Sequence, residues 1–210
     1  MCLKMRVVWI SNRLTRIYAR HVHWFFHSAL KPKLLQITAH PHPYISHSND
    51  AVRSYLLSRL TPIGDQYSHV HISNDLVSNA SWSFSYTGVY FEGTNILVKI
   101  DGTSTTAGGV LFSSHYDSVA TAPGSTDAGM GVATLLQLVQ YFAENRPLRT
   151  AVFNINNGEE DGMNGAHAWI SSLILHFSLV LTVHAHRFLE HPWSNLTDTF
   201  LNLEGAAAGG

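Results

Sequence analysis

Hydrophobic and polar positions along this chain switch between two periods, and the switches mark its elements. From about Ser46, "SHSNDAVRSYLLSRL" sets Val52, Tyr55, Leu56 and Leu60 at helical spacing behind Asn49 or Asp50 as the expected N-cap. The segments around Tyr67 to Ile72 and Tyr90 to Ile100 alternate and are rich in β-branched and aromatic residues, with Gly93 and Asn95 near a turn. They predict antiparallel strands. "GGVLFSSHYD" is a short apolar run that ends in polar residues. "TDAGMGVATLLQLVQYFAEN" then predicts a helix whose buried face carries Val132, Leu135, Leu136, Leu138, Val139 and Phe142. "LRTAVFNINNGEED" repeats the design, a strand followed by a carboxylate-bearing loop, with a new helix expected from Asn164. Strand, helix and strand in this order predict parallel pairing inside an α/β domain.

In such sheets functional groups collect at the carboxyl ends of the strands. His115, Asp117, Asp127, Glu159 and Glu160 all fall just past predicted strand ends or ahead of helices, and Glu204 in "FLNLEGAAAGG" takes that position once more. Glu159 and Glu160 are also adjacent to each other. Two carboxylates at the edge of a core repel and resist desolvation unless a cation or a shared proton compensates. Between Leu111 and Glu160 there is no lysine, and the only arginines, Arg146 and Arg149, lie near the end of the intervening helix. That imbalance favours a metal, and zinc accepts nitrogen and oxygen donors from His, Asp and Glu.

Composition narrows the field further. At 210 residues, with 45% hydrophobic content, the chain is sized for one domain with a real core. A formal net charge of -1 supplies no basic field for nucleic acid. Of the 14 histidines, the isolated His21, His23, His27, His69 and His71 are expected on the surface or in core hydrogen bonds rather than on a metal. The single cysteine, Cys2, excludes an intrachain disulfide. Asn79-Ala80-Ser81 and Asn195-Leu196-Thr197 are glycan acceptors if the domain faces a secretory lumen. The basic, mildly apolar stretch up to residue 34 has no uninterrupted apolar run of about 18 residues. It is expected to be a poorly ordered or membrane-proximal leader.

"SSHYDSVATAPGSTDAGMGVATLLQLVQYF", "NNGEEDGMNGAHAW" and "FLEHPWSNLTDTFLNLEGAAAGG" together resemble the M28 family of zinc peptidases from about Leu35 to Gly210, with HxD, TDAG, GEE and NLEGA elements in order. The resemblance implies an α/β, aminopeptidase-like central mixed sheet with helices on both faces, and a co-catalytic two-zinc (Zn2+) site at the strand ends. It implies His115, Asp127, Glu160 and Glu204 as metal ligands, with Asp127 bridging. Glu159 becomes the general base, and Asp117 the acceptor of the second imidazole N–H of His115, fixing its tautomer. The implied reaction is hydrolysis of a peptide substrate, removing N-terminal residues. The alternatives are a catalytically defective truncated peptidase and a single-zinc glutaminyl cyclase. By resemblance the setting is a vacuolar membrane with the peptidase domain in the lumen, the full-length relatives carrying membrane spans.

Two departures from the family pattern stand out. The second histidine ligand is expected downstream of Glu204, beyond Gly210, so the domain of residues 35–210 reads as partial and incomplete at its C-terminus. The apolar stretch "WISSLILHFSLVLTVHAHR", about residues 169–187, interrupts what the family runs as one helix. It reads as an insertion of retained-intron type.

Overall fold

The computed structural model describes residues 26–75, 80–84, 87–161 and 191–204. The interruption at 169–187, the helix expected from Asn164 and Asn79 of the first glycan triplet lie outside them. Asn195 of the second triplet is exposed in a helical turn, Pro192–Leu196.

The described chain opens with a helical turn, Phe26–Leu30, that runs into α1 (Lys31–Ile37). Leu30 and Ile37 are buried in the main core and Leu34 packs against it, so packing begins ahead of the boundary expected at residue 35. Apolar side chains at one-turn intervals turn this end of the basic stretch inward.

α2 (His47–Gln66) starts earlier than the periodicity indicates. Its N-cap is Ser46, whose hydroxyl oxygen accepts the Asn49 N–H at 3.1 Å. That satisfies one of the donors left open at a helix start. Asn49 and Asp50 therefore sit inside the first turn, and Asn49 is freed for another task. Val52, Leu56, Leu60 and Ile63 form the buried stripe, and the helix continues past Pro62.

β1 (Val70–Asn74), β4 (Ile96–Ile100), β5 (Gly109–His115), β6 (Ala151–Asn156) and β7 (Thr197–Asn202) form one sheet in the order β1-β4-β6-β5-β7. β1 with β4 and β4 with β6 are antiparallel, whereas β5 runs parallel to both β6 and β7. The sheet is mixed. A separate antiparallel hairpin, β2 (Ala80–Phe84) and β3 (Thr87–Phe91), precedes β4. The stretch from Tyr90 to Ile100, expected to hold a turn near Gly93 and Asn95, is divided there between the two sheets.

α3 (Met130–Glu144) lies on the same sheet face as α2. Val132, Leu135, Leu136 and Val139 are buried, with Leu138 and Phe142 partly so, against Val98, Ile100, Phe153 and Ile155. Phe112 and Phe153 stack at 5.0 Å between ring centroids, and Phe142 tilts onto both. The opposite face holds a smaller cluster of Leu97, Leu111 and Val152 beneath Trp193. No helix among the described residues is long and apolar enough to cross a membrane.

Gly131, in the first turn of α3, permits a close approach between helix and main chain. A Cβ there would stand 2.1 Å from the carbonyl oxygen of Leu203 and 2.5 Å from Ser114 Oγ. Glycine to alanine inside a helix ordinarily stabilises by up to about 1 kcal/mol. Here the clash is with backbone, so Gly131→Ala is expected to destabilise instead, by roughly 1–3 kcal/mol. Urea unfolding of the two proteins checks the sign.

A candidate metal centre at the carboxyl edge of the sheet

Because β5, β6 and β7 are parallel, their carboxyl ends share one edge, and the residues that follow them are neighbours. His115 ends β5, Asp117 follows two residues later, Glu159 and Glu160 occupy the turn after β6, and Glu204 lies two residues beyond β7. Asp127 comes from a helical turn, Ser125–Gly129, that enters α3 with non-helical backbone at Asp127 and Ala128 and a cis peptide between them. Gly124 shapes that turn. Its φ is +62°, and a Cβ would meet the Asp127 carbonyl oxygen at 2.6 Å. The glycines of "DAGMG" have comparable reasons in close backbone approach: Gly131 to Leu203, and Gly129 to Thr38 and the Gly124 carbonyl.

His115 is the centre of the cluster and is 1% exposed. Its Nε2 lies 3.1 Å from Asp127 Oδ1 and 4.0 Å from Glu159 Oε2. Its Nδ1 lies 3.1 Å from the main-chain carbonyl oxygen of Asp117 and 3.6 Å from that residue's carboxylate. The nearer partner of the imidazole is therefore the Asp117 backbone. The Asp117 carboxylate has other donors as well: the Glu159 N–H at 3.1 Å on Oδ1 and the Glu160 N–H at 3.0 Å on Oδ2. Asp117, also 1% exposed, thereby ties the end of β5 to the turn after β6.

These contacts set the protonation states. Burial pushes the His115 imidazole down, but the carboxylates of Asp117, Glu159 and Asp127 outweigh it and raise the group to about 9. Burial likewise pushes Asp117 up, and the imidazole together with the two backbone N–H groups overrides this and holds it below the usual carboxylate range. Glu160 is raised, first by burial and then by the charges of Glu159, Asp127 and Asp117 acting against the pull of His115.

Arg146 and Arg149 are held at the other end of β5. Arg146 donates to the carbonyls of Asp101 and Gly102, and Arg149 to those of Gly108 and Gly109 and to Asp198. Six strand steps separate Gly109 from His115, roughly 20 Å. Among the described residues, no lysine or arginine has an ion pair with the acids at the carboxyl edge.

Among the described residues, no three His, Cys, Asp or Glu side chains are assembled as a metal-holding group. The donor chemistry nevertheless fits zinc. Nε2 of a buried imidazole faces carboxylate oxygens, its other nitrogen is held by an acceptor, and two ligand atoms on one tetrahedral zinc stand about 3.3 Å apart, close to the 3.1 Å between His115 Nε2 and Asp127 Oδ1. The structure thus gathers His115, Asp117, Asp127 and Glu159 directly and brings in Glu160 through its backbone. Glu204 stands at the same edge with its side chain exposed. His69 and His71 are hydrogen-bonded away from this edge, at 3.1 Å to the Ala143 carbonyl and 2.7 Å to Asp101.

Sequence reading missed two supports of the site. Ser114 donates to the Leu203 carbonyl at 2.9 Å and lies 3.4 Å from that of Ala128, joining the approaches to Glu204 and Asp127. Asn157, beside the glutamate pair, is 1% exposed and hydrogen-bonded to two other segments, α2 at Asn49 and the Thr94–Asn95 loop. Both read in sequence as ordinary polar residues, because their partners are remote along the chain.

The sequence pattern of Peptidase family M28 matches residues 95–210. The Vacuolar membrane protease of Laccaria bicolor is 64% identical over 178 residues, covering 84% of this chain and 16% of that protein. The Vacuolar membrane protease of Schizophyllum commune is 60% identical over 177 residues, covering 84% and 18%. The chain therefore spans about one sixth of the length of these relatives. Among solved structures, the LapA aminopeptidase of Legionella pneumophila superposes with a TM-score of 0.58 at 14% identity, over 95% of this chain and 48% of that one. A Zn-dependent exopeptidase of Parabacteroides distasonis gives 0.55 at 15% identity, over 84% and 60%. An Acidobacteriales bacterium glutaminyl cyclase gives 0.58 at 16%, over 86% and 59%. These likenesses establish the aminopeptidase-like fold.

Proposed function

The chain belongs to peptidase family M28, and from that premise we propose that it carries the reacting edge of a zinc-dependent aminopeptidase. The observation that bears most weight is the buried His115, with Nε2 turned toward Asp127 and Glu159. His115, Asp127, Glu160 and Glu204 would hold the zinc, with Asp127 shared between two ions. Zinc, when bound, supplies Lewis acidity toward the scissile carbonyl and lowers the pKa of water.

The remaining work falls to side chains. Glu159 takes a proton from the attacking water and delivers it to the leaving amine nitrogen, as its place beside His115 permits. Asp117 fixes the His115 ring through its carbonyl and holds the Glu159 turn through its carboxylate. The physiological setting follows the relatives named vacuolar membrane proteases: a vacuolar membrane protein with this domain in the lumen. There Asn195 is open to glycosylation.

The test is metal content together with turnover. The chain produced in zinc-supplemented medium is expected to contain bound zinc and to hydrolyse an aminoacyl p-nitroanilide. A chelator should remove both properties, and His115→Ala should lose the metal. Protein that takes up no zinc would overturn the proposal. Zinc uptake with cyclisation of an N-terminal glutamine peptide, and no hydrolysis, would assign the site to glutaminyl cyclase chemistry instead.

A further inference from the structure

Asn49 and Asn157, 108 residues apart in sequence, form a closed amide pair. Asn49 Nδ2 donates to Asn157 Oδ1 at 3.0 Å, and Asn157 Nδ2 donates to Asn49 Oδ1 at 2.9 Å. Both residues are at most 2% exposed. Their second amide hydrogens are used too: Asn49 Nδ2 donates to the His42 carbonyl at 3.2 Å and Asn157 Nδ2 to Thr94 Oγ1 at 2.7 Å, while the main-chain N–H of Asn157 donates to Asn95 Oδ1 at 3.1 Å.

Such saturation is not general in this sheet. Asn154, two strand positions before Asn156, is buried with neither its Nδ2 nor its Oδ1 paired, and Asn156 Oδ1 is unpaired as well. A buried amide pair in which every polar atom has a partner favours one geometry, because each alternative leaves a donor or acceptor open at a cost of about 1–3 kcal/mol. Asn157 is where such fixity matters. It is the first residue after β6, Gly158 turns the chain at φ +73°, and the next two N–H groups land on Asp117. The turn of residues 157–160 is therefore clamped at both ends, by Asp117 at one and by Asn49 with the Thr94–Asn95 loop at the other.

We propose that the Asn49–Asn157 pair is a positioning element that fixes the Glu159–Glu160 turn beside His115. By this route α2, which lies outside the matched residues 95–210, sets the geometry of the reacting edge. The proposal deepens the reading above, since the value of that turn rests on Glu159 handling the proton.

The experiment is native-state hydrogen exchange on the full chain carrying Asn49→Ala, Asn157→Ser or both, with the Val98 and Phe153 amides as core references. The Glu159 and Glu160 amides are expected to exchange about tenfold faster in each single variant while the references hold. The double variant should be no worse than the more severe single one, because both remove the same pair. In turnover, kcat should fall about 10–100-fold with KM unchanged within about twofold. Unchanged exchange at Glu159 and Glu160 would overturn the proposal. So would an equal rise at Val98 and Phe153, which would make the pair a general stability contact. If those variants do not fold, Thr94→Val removes only the 2.7 Å bond and must still speed exchange at the two amides, or the proposal fails. Exchange needs neither zinc nor activity. A wild-type chain without turnover but with the expected exchange pattern would overturn the peptidase reading and leave the positioning role standing.

Discussion

Glu159→Gln is expected to lower kcat by about 10²–10⁴-fold while leaving zinc content unchanged. The substitution keeps shape and one acceptor oxygen but replaces the other with an amide NH2, removing the ability to take and return a proton. Glu159 is suited to that role because its backbone N–H is anchored on Asp117 while its carboxylate stands 4.0 Å from His115 Nε2, partly open to solvent. Its neighbour shares the anchor but not the proximity to the ring: among the described residues, Asp127 and Glu159 are the carboxylates within 4.0 Å of Nε2. Zinc analysis and steady-state kinetics on the same preparation separate the two glutamates. A loss of metal with Glu159→Gln would make that residue a ligand, and a fall in kcat of less than about tenfold would remove it as the base.

The metal-free chain should lose stability as pH rises from about 6.5 to about 9, the opposite of what zinc-loaded protein does there. The His115 imidazole is raised from its ordinary 6.5 to about 9, so its contribution is fully present below pH 6.5 and disappears as the pH climbs through the folded value. At about 1.4 kcal/mol per pH unit, the full contribution is on the order of 3 kcal/mol. Asp117 works in the other direction. Its carboxyl is held below the usual range, so its contribution is present above the ordinary 3.8 and is lost as pH falls through the lower folded value. Zinc takes the neutral imidazole, so binding must displace the His115 proton and is favoured by rising pH. Denaturant unfolding in chelator at pH 6, 7.5 and 9, repeated with His115→Gln, tests this. A variant whose pH dependence matches the parent chain would show that His115 is not the responsible group.

Much of this architecture could be read from the sequence because its signals are local. The period of apolar residues in "VATLLQLVQYF" and the runs ending at His115 and Asn156 carry their own element assignments, and parallel pairing then brings the trailing acids to one edge. What escaped reading depends on pairing across the chain. The cap of α2 is Ser46 rather than Asn49 or Asp50, and Asn49 is instead committed to a residue 108 positions away. The sequence singles out Asp117 as the partner of the imidazole N–H, but not its grip on two backbone N–H groups 42 and 43 residues further on. The burial of Leu30 was hidden by the basic residues beside it: Lys31 is exposed, but the Lys33 ammonium turns back onto the Ala29 carbonyl and Gln137 while the apolar side of the turn packs inward.

The strand that carries His115 also has ends of different charge character. Arg149 grips its amino end beside Asp198 and Arg146 holds the adjacent Asp101–Gly102 loop, while the carboxylates around His115 lie at its carboxyl end roughly 20 Å away. At physiological ionic strength the Debye length is about 8 Å, so the two ends are electrically insulated from each other through the solvent. Near 0.01 M salt that length grows to about 30 Å, and the arginines then weigh against any cation approaching the acidic edge. Metal capture at the proposed site would consequently be governed by local carboxylates in ordinary buffer and by the whole strand's polarity in dilute buffer.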